Sequence, residues 1–549
     1  MTQDDGVDPT TDTADPTSHA FEQRFAWLAD SSIVWLMPGI LIGLIIVISY
    51  LWTHPYPAFG AGLYLLMADR IAENAYLLPQ TIPHYTNGGL PFAYPPFGMY
   101  LPAVLRDVFG VRLFTLARVL PGIITVGYLI PAYALAEELL NSRPRAGLAT
   151  VILAVSPPVL QWHLSAGGFV RATAFTWVII GLYAGLRLFR DQNNRWLPVA
   201  MCAFTATGLS HPQYTVFFVA SFILLWLSFD RSARGFYYGL TVGFGGLLLS
   251  APWWGQVIQA HGIDVFMAAA GSQGGIGSTL SNLAAVFEVS SWSKVLFFFW
   301  GPFSLFGSFY LLAKRRIFLP AWLLLAAFIL DKARFPFFVG AFLSASVIIE
   351  GAETVIRPFI RTKYGLRAGV SSFVLIFIVL GLVISGLYVT SSIDTHAGSQ
   401  SLPAFIDEDD VAAMQWVQQN TAPSAQFVVL GDAAEWFPQQ AHRTILIGPW
   451  GVEWMGQEAY RTQIRQFKQI STCDTSRCVT KTLHQAEFSP DYLYVPKGTY
   501  TVRGMKHRQG SQTVASFRSA EHYRQVFEND GVVIFATTSD LHSKHEPAT

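Results

Sequence analysis

From Ile33 to Thr390 the chain alternates long apolar runs with short polar or basic interruptions, and after that its character changes. A helix needs about twenty apolar residues to cross ~30 Å of hydrocarbon. Eleven runs approach that length, at 33–52, 113–138, 147–163, 170–188, 196–210, 214–229, 236–254, 295–313, 317–331, 336–354 and 368–390. Beyond them, DEDDVAAMQWVQQNT has helical spacing behind an acidic first turn. AQFVVLGD, HRTILIG, DYLYVPKG and DGVVIFATT are short β-branched runs bounded by turn residues. The pattern predicts a mainly α, polytopic membrane helix bundle over 31–390 and a small α/β domain over 391–549. The polar, Pro/Thr-rich residues 1–30 read as a disordered tail.

Charge placement supplies the orientation. Alternate connections carry Arg143 and Arg145; Arg187, Arg190 and Arg195; Arg231 and Arg234; Lys314, Arg315 and Arg316; and Arg357, Arg361, Lys363 and Arg367. By the positive-inside rule these loops are cytoplasmic, so the N-terminus is inside and the C-terminal domain is extracytoplasmic. Residues 53–112 then form a long outer loop. Of the 549 residues, 52% are hydrophobic and 13% charged with no formal net charge, which fits a cell-membrane protein and gives no basic tract for nucleic acid. About thirty polar residues precede the first run, unlike a cleavable signal. Three cysteines make no disulfide framework. Cys473 and Cys478 either pair, if their domain is extracytoplasmic, or remain two thiols on a turn, while Cys202 reads as a small buried apolar residue.

The outer loop is the least ordinary segment. GLYLLMADRIAEN places Leu63, Leu66, Met67 and Ile71 on one helical stripe, with Asp69, Arg70, Glu73 and Asn74 largely opposite. That pattern predicts an interfacial helix lying on the outer leaflet. GGLPFAYPPFG follows, apolar yet broken by Pro91, Pro95 and Pro96, with Gly88 and Gly89 permitting a tight turn. Non-helical backbone at membrane depth is tolerated where protein or a watery cavity covers it. The stretch therefore reads as a structured loop lining an outward cavity, or as a connector packing its aromatics on the bundle. MYLPAVLRDVFG predicts a second short helix carrying Arg106 and Asp107.

Cations gather on the same side. SPPVLQWHLSAGGFVRATAF gives His163 and Arg171, GLSHPQY gives His211, SAPWWGQVIQAHGID gives Trp253, Trp254 and His261, and DKARFPF gives Lys332 and Arg334. A single such residue at a span end is ordinarily a snorkelling or interfacial one. Their convergence runs against the positive-inside bias, and a charge near the membrane interior costs about 2.5–3.5 kcal/mol. An anion offsets that cost, and a lipid phosphate held by arginine forks and a lysine point charge is the natural one.

This layout resembles the GT-C fold integral membrane glycosyltransferases, of the protein mannosyltransferase and aminoarabinose transferase type. The resemblance rests on GLYLLMADRIAENAYLLP, PFAYPPFGMYLPAVLRDVFG, RVLPGIITVGYLIPAYALAEEL before a basic turn, and the soluble part after the last run. It implies transfer of a sugar from a polyprenyl-phosphate donor to a glycan, lipid or protein acceptor on the outer face. The family's acid shortly after the first span, just before a tyrosine, has no counterpart here. The matching HPYPAFGAGLY has Ala61 and Gly62 before Tyr64, with no acid from Thr53 to Ala68. Asp69 and Asp107 are then the candidate bases, and Arg171, His211, Lys332 and Arg334 the lipid-phosphate site. Tyr94, Trp253 and Trp254, with Glu435 and Trp436 from an aromatic and acidic patch in the outer domain, are candidates for holding sugar or acceptor.

No motif names a cofactor. A divalent metal is the further reading, because His163, His211 and His261 share a side, although their spacing fixes no ligand geometry. Two alternatives remain. A non-catalytic relative that binds or moves a lipid-linked glycan fits the missing first-loop acid. A transporter predicts inverted repeats and broken helices at mid-membrane with intramembrane charges, whereas the sequence shows no repeat at matching positions and few charges well inside the runs.

Overall fold

The computed structural model describes residues 31–272, 295–330, 332–356 and 402–538. The tail 1–30, the basic connection 357–367, Asp331 and the run 368–390 lie outside the described residues. Helices occupy the ten other predicted runs. Five are long and apolar enough to cross a membrane: Ser32–Thr53, Leu113–Leu140, Gly168–Phe189, Pro212–Phe229 and Arg334–Thr354. Pro302–Ala313 and Phe318–Ile329 are apolar but shorter.

Proline divides several predicted runs. Ser156 is extended (φ −79°, ψ 106°) ahead of Pro157, so the run 147–163 becomes Arg143–Ala154 followed by Pro157–His163. The seventh run likewise becomes Ala233–Leu249 and Ala251–His261, with Pro252 opening the second piece. Small residues set the close crossings. A Cβ on Gly39 would lie 2.7 Å from Thr150 Cγ2, and one on Gly147 would lie 2.7 Å from the Trp35 carbonyl. These two positions let Ser32–Thr53 seat directly on Arg143–Ala154. Cys202 differs from its expected burial: it is exposed on the perimeter of Leu197–Gly208, whose inner face is filled by Ala200 and Ala203.

Several basic connections meet at one end of the bundle. Glu138 accepts from Arg187 at 2.7 Å and also from Arg190, while Glu350 joins Arg145 at 2.7 Å and Lys314 at 3.1 Å. Ser32, at the start of the first long helix, reaches Glu137 there. At the other end of that helix, Arg118 ties the Leu51 and His54 carbonyls.

After two short strands in the first loop, β1 (Thr81–Ile82) and β2 (Leu90–Pro91), residues 402–538 add β3 (Gln426–Val429), β4 (Thr444–Ile445), β5 (Tyr492–Pro496), the hairpin β6 (Thr499–Val502) and β7 (Met505–Arg508), β8 (Tyr523–Glu528) and β9 (Val532–Thr537). Five of these form one sheet in the order β4-β3-β5-β9-β8. β3 runs parallel to β4 and β5, while β5, β9 and β8 pair antiparallel. The predicted acidic helix is Glu408–Asn420, opened by an Asp407–Asp410 capping box. Cys473 and Cys478 are disulfide-bonded.

The first loop is woven into this sheet unit. β1 (Thr81–Ile82) and β2 (Leu90–Pro91) form a small hairpin. His84–Thr86 then lies along the free edge of β4, with Ile445 N donating to His84 O at 3.0 Å and Thr86 N donating to Ile445 O at 2.9 Å. The loop helix Gly62–Glu73 forms as the sequence predicts, but its apolar stripe does not face lipid. Leu63, Leu66, Met67 and Ile71 share one core with Phe427, Trp436 and Phe437, because Phe97–Phe109 and Phe437–Ala441 both pack against that helix.

Candidate functional site

The loop helix begins in a slot. Gly60 and Gly62 lack side chains where the short turn Asp432–Glu435 presses in: a Cβ on Gly60 would lie 2.1 Å from Glu435 Cγ, and one on Gly62 would lie 2.0 Å from the Glu435 carbonyl oxygen. Glu435 is 5% exposed. Its Oε2 accepts from the Tyr85 hydroxyl, and its Oε1 accepts from the Leu63 amide at 3.4 Å. Burial pushes this carboxyl up to about 7, against those two hydrogen bonds, and the charges of Glu453 and Asp432 add to the rise. Trp436 closes the slot, donating from Nε1 to the Phe59 carbonyl at 3.1 Å and packing on Phe114.

Near Gly60 stands Arg171, in the first turn of Gly168–Phe189. The Cβ position of Gly167 is 2.9 Å from Arg171 Nη1, 3.1 Å from the Tyr64 ring and 3.4 Å from the Gly60 carbonyl oxygen. The guanidinium lies over Trp162 at 5.2 Å, and Trp162 stacks on Phe59. Tyr64 is caught between opposite charges. Burial pushes its phenol up, Arg171 opposes the rise, and Glu435 and Glu453 reinforce it. The Tyr64 hydroxyl donates to Tyr94 at 3.3 Å, and the Tyr94 ring meets His211 and Trp454 edge-on.

Arg334 extends the cluster from the helix Arg334–Gly351. It lies over Tyr214 and donates from Nη2 to Gln213 at 2.6 Å, and its Nε has no hydrogen-bond partner among the described residues. His211 caps Pro212–Phe229 by accepting from Gln213 N at 3.3 Å. His163 sits behind, 2.6 Å from the Tyr214 hydroxyl. Among the described residues, neither Arg171 nor Arg334 meets a carboxylate. Lys332 is exposed, two residues before Arg334.

The other candidates sit apart from this cluster. Asp69 and Asp107 converge on Arg106: Asp69 accepts from it and from Gln439 at 3.4 Å, and Asp107 accepts from it at 2.8 Å and from Tyr76 at 2.7 Å. Burial pushes the Asp69 carboxyl up, whereas hydrogen bonds from Arg106 and Tyr76 hold exposed Asp107 down. Neither touches Arg171, Arg334 or His211. Trp253 packs on Phe266 beside Ala93 and Trp454, and Trp254 donates to Leu247 O in its own chain segment. Trp436, expected to offer a ring face to sugar or acceptor, is instead wholly buried as the pin between loop and sheet unit and presents no face to a glycan.

The three histidines of the metal reading do not gather. His163 bonds tyrosines, His211 caps a helix and His261 meets Gln80 O at 2.7 Å. Among the described residues no group of three His, Cys, Asp or Glu could hold a metal. Sequence reasoning passed over Tyr64, Tyr85, Trp162 and Tyr214. The glycine pair in AFGAGLY was the visible signal, since two missing side chains at a helix start announce a close approach.

No family model matches the sequence, and no curated protein matches it. Solved structures do. The oligosaccharyltransferase AglB from Archaeoglobus fulgidus, solved with an inhibitory peptide and a dolichol-phosphate, is similar with a TM-score of 0.54 at 14% identity, over 90% of this chain and 80% of that one. ArnT from Cupriavidus metallidurans, in the apo state, is similar with a TM-score of 0.52 at 13% identity, over 92% and 98%. Arabinofuranosyltransferase AftD from Mycobacteria gives 0.53 at 15% identity, over 92% of this chain and 40% of that much longer one. These neighbours are GT-C fold glycosyltransferases, and the chain has their fold.

Proposed function

We propose that this membrane protein transfers a sugar from a polyprenyl-phosphate donor to a glycan, lipid or protein acceptor on the outer face of the membrane. The observation that carries the reading is the pair Arg171 and Arg334, gathered among aromatic rings with no carboxylate to neutralise them among the described residues. Burying such charges is costly unless an anion completes them. A phosphate on a membrane-embedded lipid supplies two negative oxygens to guanidinium forks, with Lys332 and His211 at the rim. The fold shared with AglB, which has been solved with a dolichol-phosphate, supports this choice of anion.

In the transfer, an acceptor hydroxyl attacks the anomeric carbon as the bond from that carbon to the phosphate oxygen breaks. Charge grows on the departing phosphate, where fixed arginines stabilise it most. Tyr94, edge-on to His211 and Trp454, borders the same region and is suited to hold a sugar ring or the acceptor. With the basic connections inside, the sheet unit lies outside, over the site.

Purified protein supplied with a panel of polyprenyl-phosphate sugars tests this by release of polyprenyl phosphate. Wild type releases it, and Arg171→Ala lowers kcat/KM by about 10²-fold or more. Saturable donor binding without release instead favours the non-catalytic binder, the reading motivated by Ala61 and Gly62 standing in place of an acid.

A further inference from the structure

We propose that Glu435, carried by the outer sheet unit, is the carboxylate that accepts the proton of the acceptor hydroxyl, standing in the space that Gly60 leaves empty in the first loop. The inference rests on the transferase reading and names its base. The first loop has no acid of its own from Thr53 to Ala68, and the Glu435 side chain fills the volume that a side chain on residue 60 would occupy. Its Cδ lies 2.9 Å and its Oε1 3.1 Å from the Gly60 Cβ position, so the carboxyl group lies close against the point from which a side chain on residue 60 would start.

Three further observations favour a chemical role. First, Glu435 is buried with no cationic partner among the described residues, an arrangement that costs stability and concentrates at functional sites. Second, its two oxygens are engaged unequally. Tyr85 holds Oε2 closely, whereas Oε1, on the Gly60 side, has only the 3.4 Å contact from the Leu63 amide and keeps lone pairs for a proton. Third, Glu435 lies against the Gly60 Cβ position while the Gly60 carbonyl oxygen and Arg171 Nη1 both border the Cβ position of Gly167, and Tyr64 senses both charges. An acceptor hydroxyl between them has a base behind it and a departing phosphate ahead, as an in-line displacement needs. Asp69 and Asp107 lack that relation, being tied to Arg106.

In the step, the hydroxyl oxygen forms a bond to the anomeric carbon while the bond from that carbon to phosphate oxygen breaks. The bonding electrons leave with the lipid phosphate, and the hydroxyl proton moves to Glu435 Oε1. It is then returned to water. The groups facing Glu435 are the Tyr85 hydroxyl and the Leu63 amide, with the charges of half-buried Glu453 and buried Asp432, both beside Arg503, acting on it from further off. Together they leave the carboxyl at about 7, suited to accept a proton near neutral pH.

The test compares wild type, Glu435→Gln, Glu435→Ala and the double variant Glu435→Ala/Gly60→Asp, reading polyprenyl phosphate release, donor binding and melting temperature. Glu435→Gln is expected to keep donor affinity and melting temperature while lowering kcat by about 10²-fold or more. The double variant restores turnover, because the loop again supplies a carboxylate, and moves the midpoint of the pH–rate profile downward. A merely structural glutamate moves neither. Turnover by Glu435→Gln within about threefold of wild type overturns the base while leaving the transferase reading intact. Absence of release by wild type from every donor overturns both.

Discussion

At the residue scale, each side chain in the cluster has a role that can be removed singly. Tyr85→Phe deletes the donor to Glu435 Oε2, so the carboxylate form loses support and its pKa climbs further above about 7. The expected outcome is a pH–rate profile displaced to higher pH, measured as the rising limb of kcat/KM. Gly62→Ala drives a methyl group into the Glu435 carbonyl oxygen, 2.0 Å away. Backbone cannot swing aside as a side chain can, so a loss of about 3 kcal/mol in unfolding free energy is expected by chemical denaturation. Arg171 and Arg334 were visible in the sequence as cations on the wrong side of a membrane. The Glu435–Gly60 contact was not, because 375 residues separate its partners and no local pattern encodes it.

At the element scale, apolar length predicted where the helices lie, and proline predicted few of the breaks that it causes. The run 147–163 read as one span because its hydropathy continues across Ser156-Pro157-Pro158, where the backbone does not. The loop helix was legible from its stripe, but the stripe cannot say whether lipid or protein covers it. Here the sheet unit does, and the edge pairing of His84–Thr86 with Ile445 predicts shared protection. The Thr86 amide is expected to exchange hydrogen as slowly as those of β4. Exchange faster by orders of magnitude contradicts that docking. The helix Glu408–Asn420 adds a pH effect. Burial raises Asp410 to about 7 despite hydrogen bonds from Tyr494 and the Asp407 amide. A carboxyl raised on folding contributes stability fully present below its unfolded value of 3.8 and lost as pH rises through about 7. The thermal stability of the sheet unit is therefore expected to fall between about pH 4 and 7, with Asp410→Asn flattening the slope.

At the scale of the whole molecule, the sheet unit, the first loop and the bundle ends meet in one place. Sequence separates them into a bundle, a loop and a domain, but the packed core runs from Leu63 through Trp436 to Phe535 without regard to those divisions. The consequence is that the cations Arg171 and Arg334 come from bundle helices whereas the carboxylate of Glu435 comes from the sheet unit. Neither half holds both charges. The measurement that bears most directly on this is release of polyprenyl phosphate from polyprenyl-phosphate sugars by the purified full chain, run beside Arg171→Ala. Release by wild type, lost by about 10²-fold or more in the variant, is the expected result. Tight donor binding that Arg171→Ala weakens, with no release from any donor and acceptor offered, contradicts the transferase and leaves a binder of lipid-linked glycan.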